Sequence, residues 1–158
     1  MAGGLSAIGK QWVLDYLFRN KQESVGFVYL GLIDGGTITA ESTLESICAG
    51  KEVVTPGYTR LVIEFSSIKF ENNSVKGYVE NEPVMQFGPW EEDQGAEITQ
   101  AFICNVPAGE SGIYIAYMDL TYARKPTAGG VFVLNSGDLM FEIFGTELVT
   151  DTNTIYQY

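Results

Sequence analysis

Tyr58-Thr59-Arg60-Leu61-Val62-Ile63-Glu64-Phe65 alternates: Leu61, Ile63 and Phe65 fall on one side, with Arg60, Val62 and Glu64 on the other. A period of two marks a half-buried strand, because successive side chains of an extended chain point to opposite faces. Downstream, short runs rich in β-branched and aromatic residues recur between turn residues. They predict strands near Ser67 to Phe70, Lys76 to Glu80, Val84 to Phe87, Glu97 to Cys104, Gly112 to Leu120, Gly130 to Leu134 and Asp138 to Phe144. The intervening Glu71-Asn72-Asn73, Pro107-Ala108-Gly109, Pro126-Thr127-Ala128-Gly129-Gly130 and Asn135-Ser136-Gly137-Asp138 are residue types that tolerate positive φ or fix it near −65°. Many short strands at this spacing predict a mostly β chain, an antiparallel β-sandwich or jelly-roll-like barrel.

Upstream, Val25-Gly26-Phe27-Val28-Tyr29-Leu30-Gly31-Leu32-Ile33 is an apolar run ending at Asp34-Gly35-Gly36, which predicts a central strand. Ser42-Thr43-Leu44-Glu45 has capping-box spacing, and Leu44, Ile47 and Cys48 share a face before Gly50, so one short inserted helix is expected there. Before both, Leu5, Ile8, Trp12, Val13, Tyr16 and Leu17 recur at helical spacing, predicting an N-terminal helix from Ser6 to Phe18 with Ser6 as N-cap. Gly9 inside it costs about 1 kcal/mol relative to Ala. Such a helix either covers one end of its own core or acts as an arm reaching a neighbouring subunit, with Trp12 and Tyr16 as the contacts. The chain divides on this reading into an N-terminal helical segment (1–24), a β-sandwich domain (25–145) and a polar C-terminal tail (146–158).

Composition narrows the function. The 158 residues carry 9 basic and 20 acidic side chains, a formal net charge of −11, which repels phosphate backbones and argues against a nucleic-acid partner. Cys48 and Cys104 are the two cysteines, without CxxC spacing, and there is no histidine. Two reduced, partly buried thiols are expected, with no cofactor and no metal. No apolar run approaches the roughly 18 residues of a membrane span, and the N-terminus does not begin as a signal peptide, so folding in a reducing cytoplasm is expected.

Catalysis would have to start from carboxylates, since the common general base is missing. The densest group is Glu91-Glu92-Asp93 after Trp90, which reads as a solvated loop, with a cation site or one half of a glycosidase pair as the alternatives. Asp34-Gly35-Gly36 and Ser136-Gly137-Asp138 read as turns, because neither has the ligand spacing of an EF-hand, and no phosphate-loop string is present. No catalytic residue is nominated.

The order of features carries more. Phe27-Val28-Tyr29-Leu30-Gly31-Leu32 is followed by Pro56-Gly57-Tyr58-Thr59-Arg60, a strand ending at Phe65, a turn at Asn73, and Phe87-Gly88-Pro89-Trp90. Then come Ile98-Thr99-Gln100-Ala101-Phe102 and Val131-Phe132-Val133-Leu134-Asn135-Ser136-Gly137-Asp138. From about Val25 to Phe144 this resembles a family of small tailed-bacteriophage virion proteins with a YLGL, GYxR, F, W, IT, GD pattern. Two features depart from it: the Glu41 to Val54 insert is longer, and Gln100 stands where histidine is expected. The resemblance implies a non-enzymatic role on the virion, as head decoration or tail component.

The leading expectation is therefore a capsid decoration or cement subunit, oligomeric, bridging neighbouring capsid proteins. The alternatives are a tail component (baseplate or fibre-attachment subunit), or a carbohydrate- or calcium-dependent adhesion module with Trp90 exposed beside Glu91 to Asp93. The rings beside Gly57 and Gly88 suit packing across the ends of a sandwich, and where exposed they would be interface anchors. The expected protein contacts are Trp12, Tyr16, Trp90, Tyr156 and Tyr158, with the major capsid protein, tail proteins or further copies of the chain as partners.

Overall fold

A computed structural model describes residues 3–19, 26–70 and 77–143. Its spine is a five-stranded antiparallel sheet built from β1 (Gly3–Leu5), β2 (Tyr29–Ile33), β3 (Leu61–Val62), β7 (Ile98–Cys104) and β8 (Tyr114–Arg124), in the order β1-β8-β7-β2-β3. Two smaller antiparallel sheets accompany it. One orders β4 (Lys69–Phe70), β5 (Gly77–Glu80) and β10 (Met140–Ile143) as β10-β5-β4, and the other pairs β6 (Met85–Phe87) with β9 (Phe132–Leu134). The mostly β, sandwich-like expectation holds, with two helices as expected.

The spine is covered on both faces, which explains why β2 reads as an unbroken apolar run and not as an alternation. On one face Leu30, Leu32, Ala101, Ile103 and Ala116 meet Phe87, Trp90, Phe132 and Leu139 in the main core. On the other, Ile33, Phe102, Cys104 and Tyr114 meet Ile38, Leu44 and Ile47 in a second core. That second core is supplied by the Asp34 to Val53 excursion, whose helix α2 (Leu44–Cys48) is short. Its capping box is formed by Thr43 and Ser46, one residue later than Ser42 and Glu45: the Ser46 amide donates to Thr43 Oγ1 and the Thr43 amide to Ser46 Oγ. Ser42 instead accepts from the Thr39 amide within the preceding turn.

The N-terminal helix α1 (Ala7–Leu14) is capped by Ser6, whose hydroxyl accepts from the Gly9 amide, and it continues as a π-helical turn over Asp15–Arg19. Other boundaries move. The expected strand from Tyr58 to Phe65 shrinks to β3 plus a bridge from Phe65 to Asn81, and β8 runs four residues past Leu120. The expected Glu71 to Asn73 turn, Val25, Lys76, Phe144, the tail 146–158 and the boundaries near 24 and 145 lie outside the described residues.

Candidate functional site

Four buried polar side chains tie the loops to this frame. Arg60, on the side of its strand opposite Leu61, Ile63 and Phe65, is buried, and its partners are the reason. Its Nε and Nη2 each donate to a different Glu52 carboxylate oxygen at 2.7 Å, and Nη1 donates to the carbonyls of Gly109 (2.9 Å) and Val106 (3.2 Å). The guanidinium also lies 5.2 Å from the centre of the Phe102 ring and contacts both thiols, Cys48 at 3.3 Å and Cys104 at 3.6 Å. An arginine can be buried here because a planar fork meets a carboxylate and two carbonyls that fill its donors. Tyr58 completes the cluster, donating to Glu52 at 2.8 Å and accepting from the Leu32 amide.

These groups are spent on one another. Burial, and then the Glu52 charge, push the Tyr58 hydroxyl far above the ordinary tyrosine range. Burial alone would lower the pKa of Arg60, but its hydrogen bonds to Glu52 outweigh that and hold the guanidinium charged. Burial likewise pushes the thiols of Cys48 and Cys104 up, away from the thiolate that reactive cysteines need. What the arrangement does is join the insert, β3 and the β7–β8 turn.

Gln94 performs the same office at the opposite end of the excursion. Its carbonyl accepts from Trp90 Nε1 (3.0 Å) and Thr55 Oγ1 (2.8 Å), while its amide donates to Asp34. Gly57 has φ 95°, and a Cβ there would sit 2.2 Å from the Pro89 carbonyl, so Gly57 is what admits the Pro89-Trp90 turn, which begins with a cis Gly88–Pro89 bond. Gln100, at the expected histidine position, accepts from the Ile38 amide at 2.7 Å and donates to the Ile38 carbonyl and to Asp119. Asn81 donates to the carbonyls of Pro83 and Asn135 and accepts from the Leu139 amide. Among the described residues, no buried side-chain nitrogen or oxygen lacks a partner.

The arm from Ala7 to Arg19 differs in kind. It is pinned at its start: the Ser6 amide donates to the Ile115 carbonyl, the Ser6 hydroxyl to the Tyr114 carbonyl, and the Ala7 amide to the Ala40 carbonyl. Gly9 is what lets it lie flat, since a Cβ there would stand 2.2 Å from the Ile115 oxygen. Farther along, Trp12 stacks on Tyr16 with centroids 5.0 Å apart, and Asp15 pairs with Arg19. The outer side then presents Ile8, Leu14, Leu17 at 61% exposure and Phe18 at 76%.

A second feature lies at the other side of the spine. Between β7 and β8 the register passes from Gln100 opposite Asp119 to Ile98 opposite Arg124, two steps against five, so β8 bulges over Leu120 to Ala123. Under the bulge, a cleft of about 260 Å³ opens between the spine and β9. Leu30, Leu32, Phe132 and Leu139 floor it, and Tyr122 and Val133 stand at its rim.

Of the expected contacts, Tyr16 is exposed and Trp12 half-buried beneath it. Trp90 is a correction: it is 1% exposed, a main-core ring whose indole hydrogen bonds Gln94, so it offers no platform beside Glu91 to Asp93. Glu91 to Asp93 are all exposed, and Asp93 accepts from the Ala128 amide. Tyr156 and Tyr158 lie outside the described residues. Sequence reasoning missed Arg60, Gln94, Gln100 and Asn81; their signal is a polar residue inside an otherwise apolar face, which has meaning only once the partner is known.

No helix among the described residues is long and apolar enough to cross a membrane. A comparison with curated proteins finds no match. The comparison with protein families matches residues 4–142 to Gp80, described as podophage GP4 fiber I protein gp80, a span that takes in both the arm and the sandwich. The chain therefore belongs to the podophage GP4 fiber I protein gp80 family, a family of phage structural proteins.

Proposed function

We propose that the chain is a non-enzymatic component of a podophage tail, a fibre or fibre-attachment subunit that works by docking against other virion proteins. The observation that carries this reading is the fibre family match across residues 4–142. It favours the tail alternative over capsid decoration, for which nothing speaks. The geometry supports a docking role in physical terms. The loops are locked by hydrogen bonds inside the molecule, so the surfaces are preformed and little ordering entropy has to be spent on contact. The arm supplies exposed aromatic and aliphatic side chains of the type that anchor interfaces.

Its partners on this reading are tail proteins and further copies of the chain, not nucleic acid, and its place is the virion. The test is the copy number in purified particles, by quantitative mass spectrometry against the major capsid protein. Far fewer copies than capsid subunits are expected. A ratio near one, or a fixed simple fraction of it, would return the chain to the capsid, and absence from particles would overturn both readings.

A further inference from the structure

We propose that the β8–β9 cleft receives an extended segment of another virion protein, which adds a strand to the free edge of β9 and carries an acidic side chain at one end and a basic one at the other. This gives a chemistry to one docking surface on the reading above. β9 pairs with β6 in a sheet of two strands, and among the described residues its second edge has no strand beside it. The cleft lies along that second edge, since all three residues of β9 line it and none of β6 does. Its far wall is β8 from Met118 to Arg124, and its floor is the spine. The layer packed on the spine therefore ends at β9 and leaves Met118 and Leu120 only half-buried. An unpaired edge beside an apolar trough is what strand addition uses: the edge supplies main-chain hydrogen bonds, and the trough takes alternate side chains. The cleft measures about 260 Å³, and roughly 150 Å³ holds a benzene ring, so two aliphatic side chains fit.

Charge specifies the occupant. Arg124 stands at the Phe132 end of β9, its guanidinium 5.8 Å from the centre of the Phe132 ring. Asp138 stands at the Leu134 end, where its carboxylate accepts from the Asn135 amide at 2.7 Å. Both side chains are exposed, and among the described residues neither is in an ion pair. From Phe132 to Asn135 an extended strand advances about 10 Å, so the two charges address opposite ends of a short segment. The matching segment reads acid, apolar, any residue, apolar, base, in the direction that brings its acid to Arg124. Apolar residues two apart share a face and enter the cleft, while the flanking charges meet Arg124 and Asp138 at the rim. Residues 144–158 hold two acidic and no basic side chains, so the chain's own tail lacks this pattern.

Peptides titrated into the isotopically labelled full chain test this through its amide NMR signals. The probes are the capped heptapeptide TEVTVKT, the same residues in reverse order, and the uncharged TQVTVQT. One charged order should bind at least roughly tenfold more tightly than the other two probes, because the wrong order sets like charges against each other. It should shift the signals of Phe132 to Leu134 and of Leu120 to Arg124. Arg124→Glu should abolish the preference, and Arg124→Glu combined with Asp138→Lys should invert it. Thermal unfolding checks that each variant is folded, and Arg124→Glu alone decides where the double variant is not. Overturning results are no shift with any probe, shifts that spare the cleft, equal binding of all three probes, or a preference that survives in folded Arg124→Glu. Cleft signals that move with protein concentration before peptide is added also overturn the proposal, because a second copy is then the occupant. The free chain suffices for this test, so its outcome stands apart from the copy number that tests the virion reading.

Discussion

Arg60 and the arm around Phe18 treat their side chains in opposite ways. At Arg60 a charged residue lies in the core, its side chain 2% exposed, because a carboxylate and two carbonyls meet its donors. At Phe18 an aromatic ring lies in water, on an element pinned at its beginning through Ser6, Ala7 and Gly9. The ordinary expectation, charge outside and apolar inside, is inverted in both. The inversion at Arg60 is resolved within the chain, whereas the one at Phe18 is the kind of surface that the proposed docking would cover. This contrast separates what builds the protein from what it works with.

The sharpest way to break the contrast is to remove Glu52. Glu52→Ala leaves Arg60 buried without its carboxylate, and loss of one partner of a buried pair costs about 3–5 kcal/mol. Urea unfolding should show the midpoint falling accordingly, and the double change Glu52→Leu with Arg60→Met should recover part of the loss. Next in size is Gln100→Leu, which strands the Ile38 amide and carbonyl and the Asp119 carboxylate, at about 1–3 kcal/mol for each group left unsatisfied in the interior. An effect confined to a few tenths of a kcal/mol would mean that water replaces Gln100 there.

Much of the frame was legible in the sequence because its signals are local. Ser6 before a helical stripe, the turn residues, and the apolar run of β2 each act over a few neighbouring residues. What was not legible depends on distant ones. Arg60 looks like the polar side of an alternating strand until Glu52 and the carbonyls of Val106 and Gly109 are brought beside it. Trp90 reads as core, or as an anchor if exposed, until Gln94 and Gly57 are seen to enclose it. The capping box slipped by one residue because Ser42 and Thr43 offer the same hydroxyl, and the turn at Thr39 claims the first. The cleft comes from a register shift in β8 that no local pattern announces.

Smaller effects sharpen the arm side of the comparison. Ser6→Ala removes the N-cap and the tie to the Tyr114 carbonyl, at about 0.5–2 kcal/mol, and should raise amide exchange across Ala7 to Leu14 more than in β7. Alkaline pH should act on the core and spare the arm. The unfolded chain loses thiol protons from about pH 8.5, whereas burial holds Cys48 and Cys104 protonated in the fold. Above that pH the unfolded state therefore binds fewer protons, and stability falls as pH rises and is flat below it from this source. Denaturation at neutral and mildly alkaline pH checks this, with Cys104→Ala expected to flatten the slope. Smallest is Phe18→Ser, which should change the free chain's stability by no more than about 0.5 kcal/mol, since the ring packs on little.

Hydrogen exchange of this chain, free and within purified particles, tests whether a fold closed on itself carries an arm kept for contact. Amides of Ala7 to Arg19 should become strongly protected in the particle while those of β2 and β7 change little. Equal exchange of the arm in both settings would contradict it.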